Sequence, residues 1–306
     1  MNVKNKNRNT SAKDFIQFTR NLIAQLKQIG KHQTAEKYAT TLNSLLRFLQ
    51  KDEMAWKDMD ASLMIAYEVY LKECGICPNT SSFYMRNLRA IYNRAVAEGL
   101  TVQQYPFKRV YTGIDKTVKR AVSIKVIRQI HDLDLSSQPL MDWARDMFLF
   151  SFYTRGMSFI DLAFLKKKDL QYGILSYRRK KTGQLLYIKW ERPMQDIIDK
   201  YDTRHTPFLL PVIRNMEVDE HRQYVNASHI INNKLKKIGE RIGLNIPLTM
   251  YVARHGWATI AKSRNIPLST ISEALGHDSE KTTRIYLASL DTSVIDNANK
   301  MILSLL

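Results

Sequence analysis

Cysteine is scarce: two in 306 residues, Cys74 and Cys77, at a C-x-x-C spacing. That excludes a disulfide framework. A structural zinc site needs four ligands, and no second Cys or His pair lies nearby. A redox pair needs a βαβ setting, which the flanking pattern does not supply. Both residues are therefore expected as reduced thiols in a turn between helices. Long apolar runs are also missing. The longest, residues 147–153, falls far short of the roughly 20 residues that span a bilayer. The N-terminus has no apolar stretch of the signal-peptide kind, so a cytoplasmic location is expected, with no membrane partner. His, Asp and Glu show no metal-ligand spacing, and no metal or other cofactor is expected. Acid is the minority charge: Asp plus Glu is 29 against 47 Lys plus Arg, a net +18, with a pI near 9.8. On a chain that is 44% hydrophobic, such a balance points to a polyanion, most simply nucleic acid. The plainer alternative is a basic protein with no specific partner, or one resting on acidic lipid.

What is present divides by length into two domains. Residues 1–10 are Asn- and Lys-rich without apolar periodicity and read as a flexible tail. Residues 11–14 resemble a capping box, and Phe15, Phe18, Leu22, Leu26 and Ile29 follow at helical spacing up to Gly30. Thr34 is the expected cap of a second helix carrying Tyr38, Leu42, Leu45 and Leu49. A third helix covers roughly 61–71. A fourth starts after Pro78-Asn79-Thr80 and runs to Ala97. Its apolar face holds Leu88, Ile91, Tyr92 and Val96. Arg86, Arg89 and Asn93 fall together on another face, one suited to a DNA groove or backbone, or else merely solvated. These helices make an all-α domain over 11–107. Residues 108–120, with Lys116, Lys119 and Arg120, read as a basic linker lying along DNA, and 121–306 form the second domain.

In that second domain, residues 141–153 are apolar nearly all round, which marks a buried helix. It delivers Thr154-Arg155-Gly156. An arginine in so apolar a setting needs an anionic partner, either Asp161 or a ligand phosphate. Residues 173–180 and 185–190 read as two strands joined by a basic tip that carries Lys181. Asn226 is the expected cap of the helix that ends at Gly243. The next helix opens at Thr249 and holds Tyr251 and Arg254 three apart on one face, with His255 rotated toward packing. Pro267 and Gly276 bracket a further helix. His277 follows at once, and Asp278 or Ser279 can cap a short helix bearing Tyr286.

These boxes, in this order, resemble the tyrosine recombinase (phage integrase) family, which includes Xer, Cre and lambda-integrase-like proteins. They are Thr154-Arg155-Gly156 with Asp161-Leu162, the hairpin Lys181, 254–259, and Leu275-Gly276-His277 followed by Tyr286. The resemblance covers about residues 11–306. It implies a mainly α chain: an N-terminal helical core-binding (SAM-like) domain, then a C-terminal mixed α/β catalytic domain with a small β-hairpin sheet, clamping duplex DNA. It also implies catalytic Arg155, Lys181, Arg254, His277 and Tyr286, with Tyr251 in the catalytic set as a group that orients the phosphate. One position departs from the pattern, since the family usually has His where Tyr251 stands. A phenol with pKa near 10 is a poor resting base.

The residue types suit the chemistry. Two guanidinium forks match the nonbridging oxygens of a phosphodiester. Tyr286 would attack phosphorus, and Lys181 would protonate the 5′-oxygen that leaves. The expected function is site-specific recombination (inversion, resolution or integration), with a homotetramer on DNA carrying inverted half-sites. The C-terminal helix, ending at 301–306, is expected to be exchanged between protomers. A type IB topoisomerase and a non-catalytic DNA-binding regulator are the alternatives.

Overall fold

Asp14 opens the first helix. Its carboxylate accepts from the Ile16 amide at 2.9 Å and, at the same time, from the Met54 amide at 3.0 Å. In this computed structural model the described residues are 14–115, 121–287 and 301–304, with the side chains of Ile285 and Tyr286 left out. Ser11, Lys116, Lys119 and Arg120 lie outside them, as does most of the expected C-terminal helix. The chain divides into two compact units, one up to Thr117 and another from Val118. Among the described residues, no helix is long and apolar enough to cross a membrane.

The first unit holds α1 (Phe15–Gln28), α2 (His32–Leu49), α3 (Ala61–Glu73) and α4 (Pro78–Ala97). Two helix starts differ from the expected ones. Helix α2 begins before Thr34, after Lys31 and without a side-chain cap, so Thr34 sits in its first turn. Helix α4 begins at Pro78 itself, whose fixed φ suits that position. Cys74 and Cys77 are free, exposed thiols at the α3–α4 turn. Trp56 closes the core, edge-on to Phe15 and Phe18 at 5.4 and 5.5 Å. The stretch expected as an open linker from residue 108 is held to this unit at its start. Phe107 and Val110 are buried in the same core, the Tyr111 amide donates to Glu68, and Ser82 donates to the Gly113 carbonyl. Two apolar anchors outweigh the basic residues between them.

The second unit is built around α6 (Pro139–Tyr153), which packs against α9 (Glu220–Arg241) and α10 (Met250–Ser263). Met147, Phe148 and Phe150 on α6 are fully buried. Helices α5 (Ile124–His131), α7 (Phe159–Ala163), α8 (Arg192–Asp199), α11 (Leu268–Ala274) and α12 (Glu280–Leu287) complete the helical part. The sheet has three antiparallel strands where two were expected: β1 (Leu170–Gln171), β2 (Ile174–Arg178) and β3 (Leu185–Lys189), in that order, with Ser176 opposite Tyr187. The other correction is at α9. Asp219 caps it through the Arg222 amide at 2.7 Å, so Asn226 lies inside the helix. The opening turns are polar and hide their helical period.

Candidate active site

Four separate segments of the second unit are tied into one closed circuit of hydrogen bonds. It starts at the end of α6, where Arg155 and Gly156 both adopt left-handed backbone, with φ of 61° and 73°. For an arginine this costs roughly 1–3 kcal/mol, which the surrounding packing must hold. Gly156 has no alternative, since a Cβ there would lie 2.6 Å from the Arg254 Cα. The turn lets Arg254, on α10, come in against the backbone. Its guanidinium donates to the Gly156 carbonyl at 2.8 Å and to the Leu275 carbonyl at 2.5 Å. The same nitrogen that meets Leu275 also meets His277 Nε2 at 3.1 Å. Arg254 is 6% exposed.

A third arginine completes the circuit and was not singled out in the sequence. Arg179, just past β2, is buried. It donates to the Gly276 carbonyl and lies 3.9 Å from the Asp161 carboxylate. Asp161 in turn accepts from the Ser158 hydroxyl at 2.6 Å and the Lys180 amide at 2.8 Å. Asp161 thus partners the hairpin, not Arg155. Gly276, with φ 61°, fits against Arg179, whose Cδ would be 2.7 Å from an added Cβ. A sequence signal for Arg179 existed. Leu175 and Tyr177 face inward, and the two-residue period of a strand puts Arg179 on that face while Arg178 points out. Read only as a basic tip, the stretch hid it.

The remaining expected residues are distributed as follows. Lys181 lies exposed in the hairpin turn, close enough for its charge to act on His277. Its neighbour Lys180 turns away, with its ammonium 3.3 Å from the Phe164 ring centroid, and burial holds its pKa below the usual lysine range. Tyr251 is 59% exposed at the start of α10. Its ring stands edge-on to that of buried His255, with centroids 4.4 Å apart. Tyr286 lies on α12, and its side chain is outside the described atoms. Arg86 is half-buried and Arg89 and Asn93 are exposed on α4, in the first unit.

The electrostatics are those of a cation cluster. Burial and then the Asp161 carboxylate push Tyr177 well above the usual phenol range, while the charges of Arg254, Arg179 and Arg155 pull the other way. Burial, then Arg254, Arg179 and Lys181, hold His277 down to about 4, opposed by Asp278. The imidazole is therefore neutral at pH 7. Arginine has donors only, so Nε2 must accept from Arg254, and the ring proton sits on Nδ1. There it meets Thr283 Oγ1 at 2.7 Å. Such a site can bind a phosphate through its guanidinium groups, with a neutral imidazole beside them.

The phage integrase SAM-like domain profile matches residues 14–110, and the phage integrase family profile matches residues 141–293. The chain belongs to the tyrosine recombinase (phage integrase) family and is a site-specific recombinase. It is 23% identical over 269 residues to the tyrosine recombinase XerC of Roseiflexus castenholzii, covering 83% of this chain and 82% of that protein. It is 30% identical over 139 residues to XerA of Pyrococcus furiosus, 44% of this chain and 46% of that one. Two solved structures share the fold. A lambda integrase dimer bound to a COC′ core site has a TM-score of 0.67 at 16% identity, over 89% of this chain and 95% of that one. The Tn1549 transposon integrase with a circular intermediate DNA has 0.61 at 16%, over 90% and 94%. A SAM-like helical domain followed by a mixed catalytic domain is the fold of this chain.

Proposed function

We propose that this recombinase cuts and rejoins duplex DNA through a covalent 3′-phosphotyrosine on Tyr286. The observation that carries the reading is the closed circuit around Arg254, which gathers Gly156, Leu275 and His277 about one buried guanidinium. Arg155 and Arg254 grip the scissile phosphate. The Tyr286 oxygen forms a bond to phosphorus as the P–O5′ bond breaks. Lys181 gives a proton to the 5′-oxygen. The phenolic proton needs an acceptor, and Nε2 of His277 supplies one as the bound phosphate takes over the Arg254 N–H and offsets the cations that depress the imidazole. Tyr251, exposed beside the site, hydrogen-bonds the DNA backbone in place of the imidazole usual at its position. The energy of the broken bond stays in the protein–DNA link, so rejoining needs no nucleotide cofactor.

Arg86, Arg89, Asn93, Lys116, Lys119 and Arg120 contact DNA outside the reacting phosphate. A tetramer pairs two duplexes at inverted half-sites, and the C-terminal segment docks on the neighbouring protomer. Relatives of the fold have been seen as a lambda integrase tetramer on a Holliday junction and as a transposon integrase with DNA. They support rearrangement of a mobile element as the role of this chain.

A nicked suicide duplex tests the chemistry. The wild type should accumulate a covalent adduct that Tyr286→Phe cannot form, and exchange between duplexes should require two matched sites. Adduct formation by Tyr286→Phe, or relaxation of a plasmid lacking any matched pair, would overturn the reading.

A further inference from the structure

The Nδ1 proton of His277 is spoken for by a residue that belongs to neither the cation cluster nor the boxes of the sequence. Thr283 is fully buried on α12, and its hydroxyl lies 2.7 Å from His277 Nδ1. It stands one helical turn before Tyr286 on the same helix. On the other side of the imidazole, Arg254 donates to Nε2 at 3.1 Å. A neutral imidazole has two tautomers, and the partner of one nitrogen decides the state of the other. A hydroxyl can give or take a hydrogen bond, but here it has to take one, because the opposite nitrogen faces a pure donor.

We propose that Thr283 is a positioning residue for His277: with the ring proton set on Nδ1 by the Arg254 donor, its hydroxyl takes that proton in a hydrogen bond and holds the imidazole with Nε2 turned into the phosphate site. The same hydrogen bond locks the helix that carries Tyr286 to the cation cluster of its own chain, so α12 and the proton acceptor are set together. Without the hydroxyl the buried Nδ1–H is left without this acceptor, which favours the ring that carries its proton on Nε2 in spite of Arg254. It then presents N–H where the chemistry needs a lone pair, and it loses its hydrogen bond with Arg254. Among the described residues, the charges that act on this imidazole include Arg254 on α10, Arg179 and Lys181 on the hairpin, and Asp278 in its own turn. The inference rests on the acceptor role proposed for Nε2.

The test compares Thr283→Val, which keeps the branched shape and loses the hydroxyl, with Thr283→Ser, which keeps the hydroxyl. Full-length protein with ¹⁵N-labelled histidine reports the tautomer directly, with His277 assigned by loss of its signals in His277→Asn. Wild type and Thr283→Ser should show the Nδ1–H form, and Thr283→Val should shift toward Nε2–H. On a nicked duplex carrying the half-sites that the wild type selects from a random pool, Thr283→Val should form adduct about tenfold more slowly, a part of the 10²- to 10⁴-fold that a positioned proton-transfer group contributes. DNA affinity should not change, and Thr283→Ser should restore the rate. A Thr283→Val protein that keeps the Nδ1–H form, or reacts at the wild-type rate, overturns the proposal. Absence of any adduct from the wild type would instead sink the acceptor role and phosphotyrosine chemistry, while the tautomer measurement would still decide what Thr283 does to the ring.

Discussion

Arg155 and Arg254 bring the same guanidinium into the same unit on opposite terms. Arg254 is buried and satisfies two backbone carbonyls, those of Gly156 and Leu275. Arg155 is half-buried on a left-handed residue, and among the described residues its side chain has no hydrogen bond or ion pair. Arg254→Gln should therefore lose both stability and activity: on the order of 1–3 kcal/mol for each carbonyl orphaned, together with about 10²- to 10³-fold in adduct rate. Arg155→Gln should lose a similar factor in rate and leave thermal unfolding within about 0.5 kcal/mol of wild type. Calorimetry beside a single-turnover assay separates the two. A matched loss of stability in both variants would contradict the contrast. His277 adds a pH term. Its pKa falls from 6.5 to about 4 on folding, so between those values the unfolded chain binds the extra proton. Stability from this group is complete above pH 6.5 and is lost as pH falls toward 4. Denaturant unfolding of His277→Asn should show a flatter decline over that window than wild type.

The elements of the site are held by glycines of unequal standing. Gly156, Gly183 and Gly276 all have positive φ, but only Gly156 and Gly276 have neighbours in the way. An added Cβ at Gly156 would meet the Arg254 backbone at 2.6 Å, and at Gly276 it would meet the Arg179 side chain at 2.7 Å, while at Gly183 nothing lies within 4 Å. Gly183→Ala should cost only the left-handed penalty of roughly 1–2 kcal/mol. Gly156→Ala should cost more and should abolish adduct formation. Gly276→Ala should fall between, because the end of Arg179 can yield. An unfolding series of the three checks the order, and equal losses would mean that backbone strain alone is at work. The elements themselves were largely legible in the sequence. Apolar periodicity located α1, an all-round apolar run located α6, and two strands about a basic tip located the hairpin. Some of the misses were decided by tertiary partners. Asp14 caps α1 while also holding Met54, and β1 exists only because β2 lies beside it, whereas Arg179 had a signal in the strand period that went unread. The cationic side chains of the site could be named from their setting, but the direction of their hydrogen bonds could not.

At the scale of the whole chain the surplus of +18 is spread over two units that each have their own core, so the charge must be assigned face by face. On α4 the three residues proposed to meet DNA differ in what they can contribute. Arg86 spends its Nε on the Ser82 carbonyl at 3.3 Å, and Arg89 reaches Thr112 at 3.3 Å. Either can still neutralise a phosphate. Asn93 accepts from Gln103 at 3.1 Å and carries no charge. Counterion release gives each neutralised phosphate about 0.9 of the slope of log Kobs against log salt. Arg86→Gln and Arg89→Gln should each therefore reduce the slope by about 0.9, and the double variant by about 1.8 if each arginine neutralises its own phosphate. Asn93→Ala should weaken binding with the slope unchanged. Equilibrium binding to one duplex across a salt series measures all three at once. If both arginine variants keep the wild-type slope, the face is solvated in the complex, and the charge that holds DNA lies elsewhere on the chain.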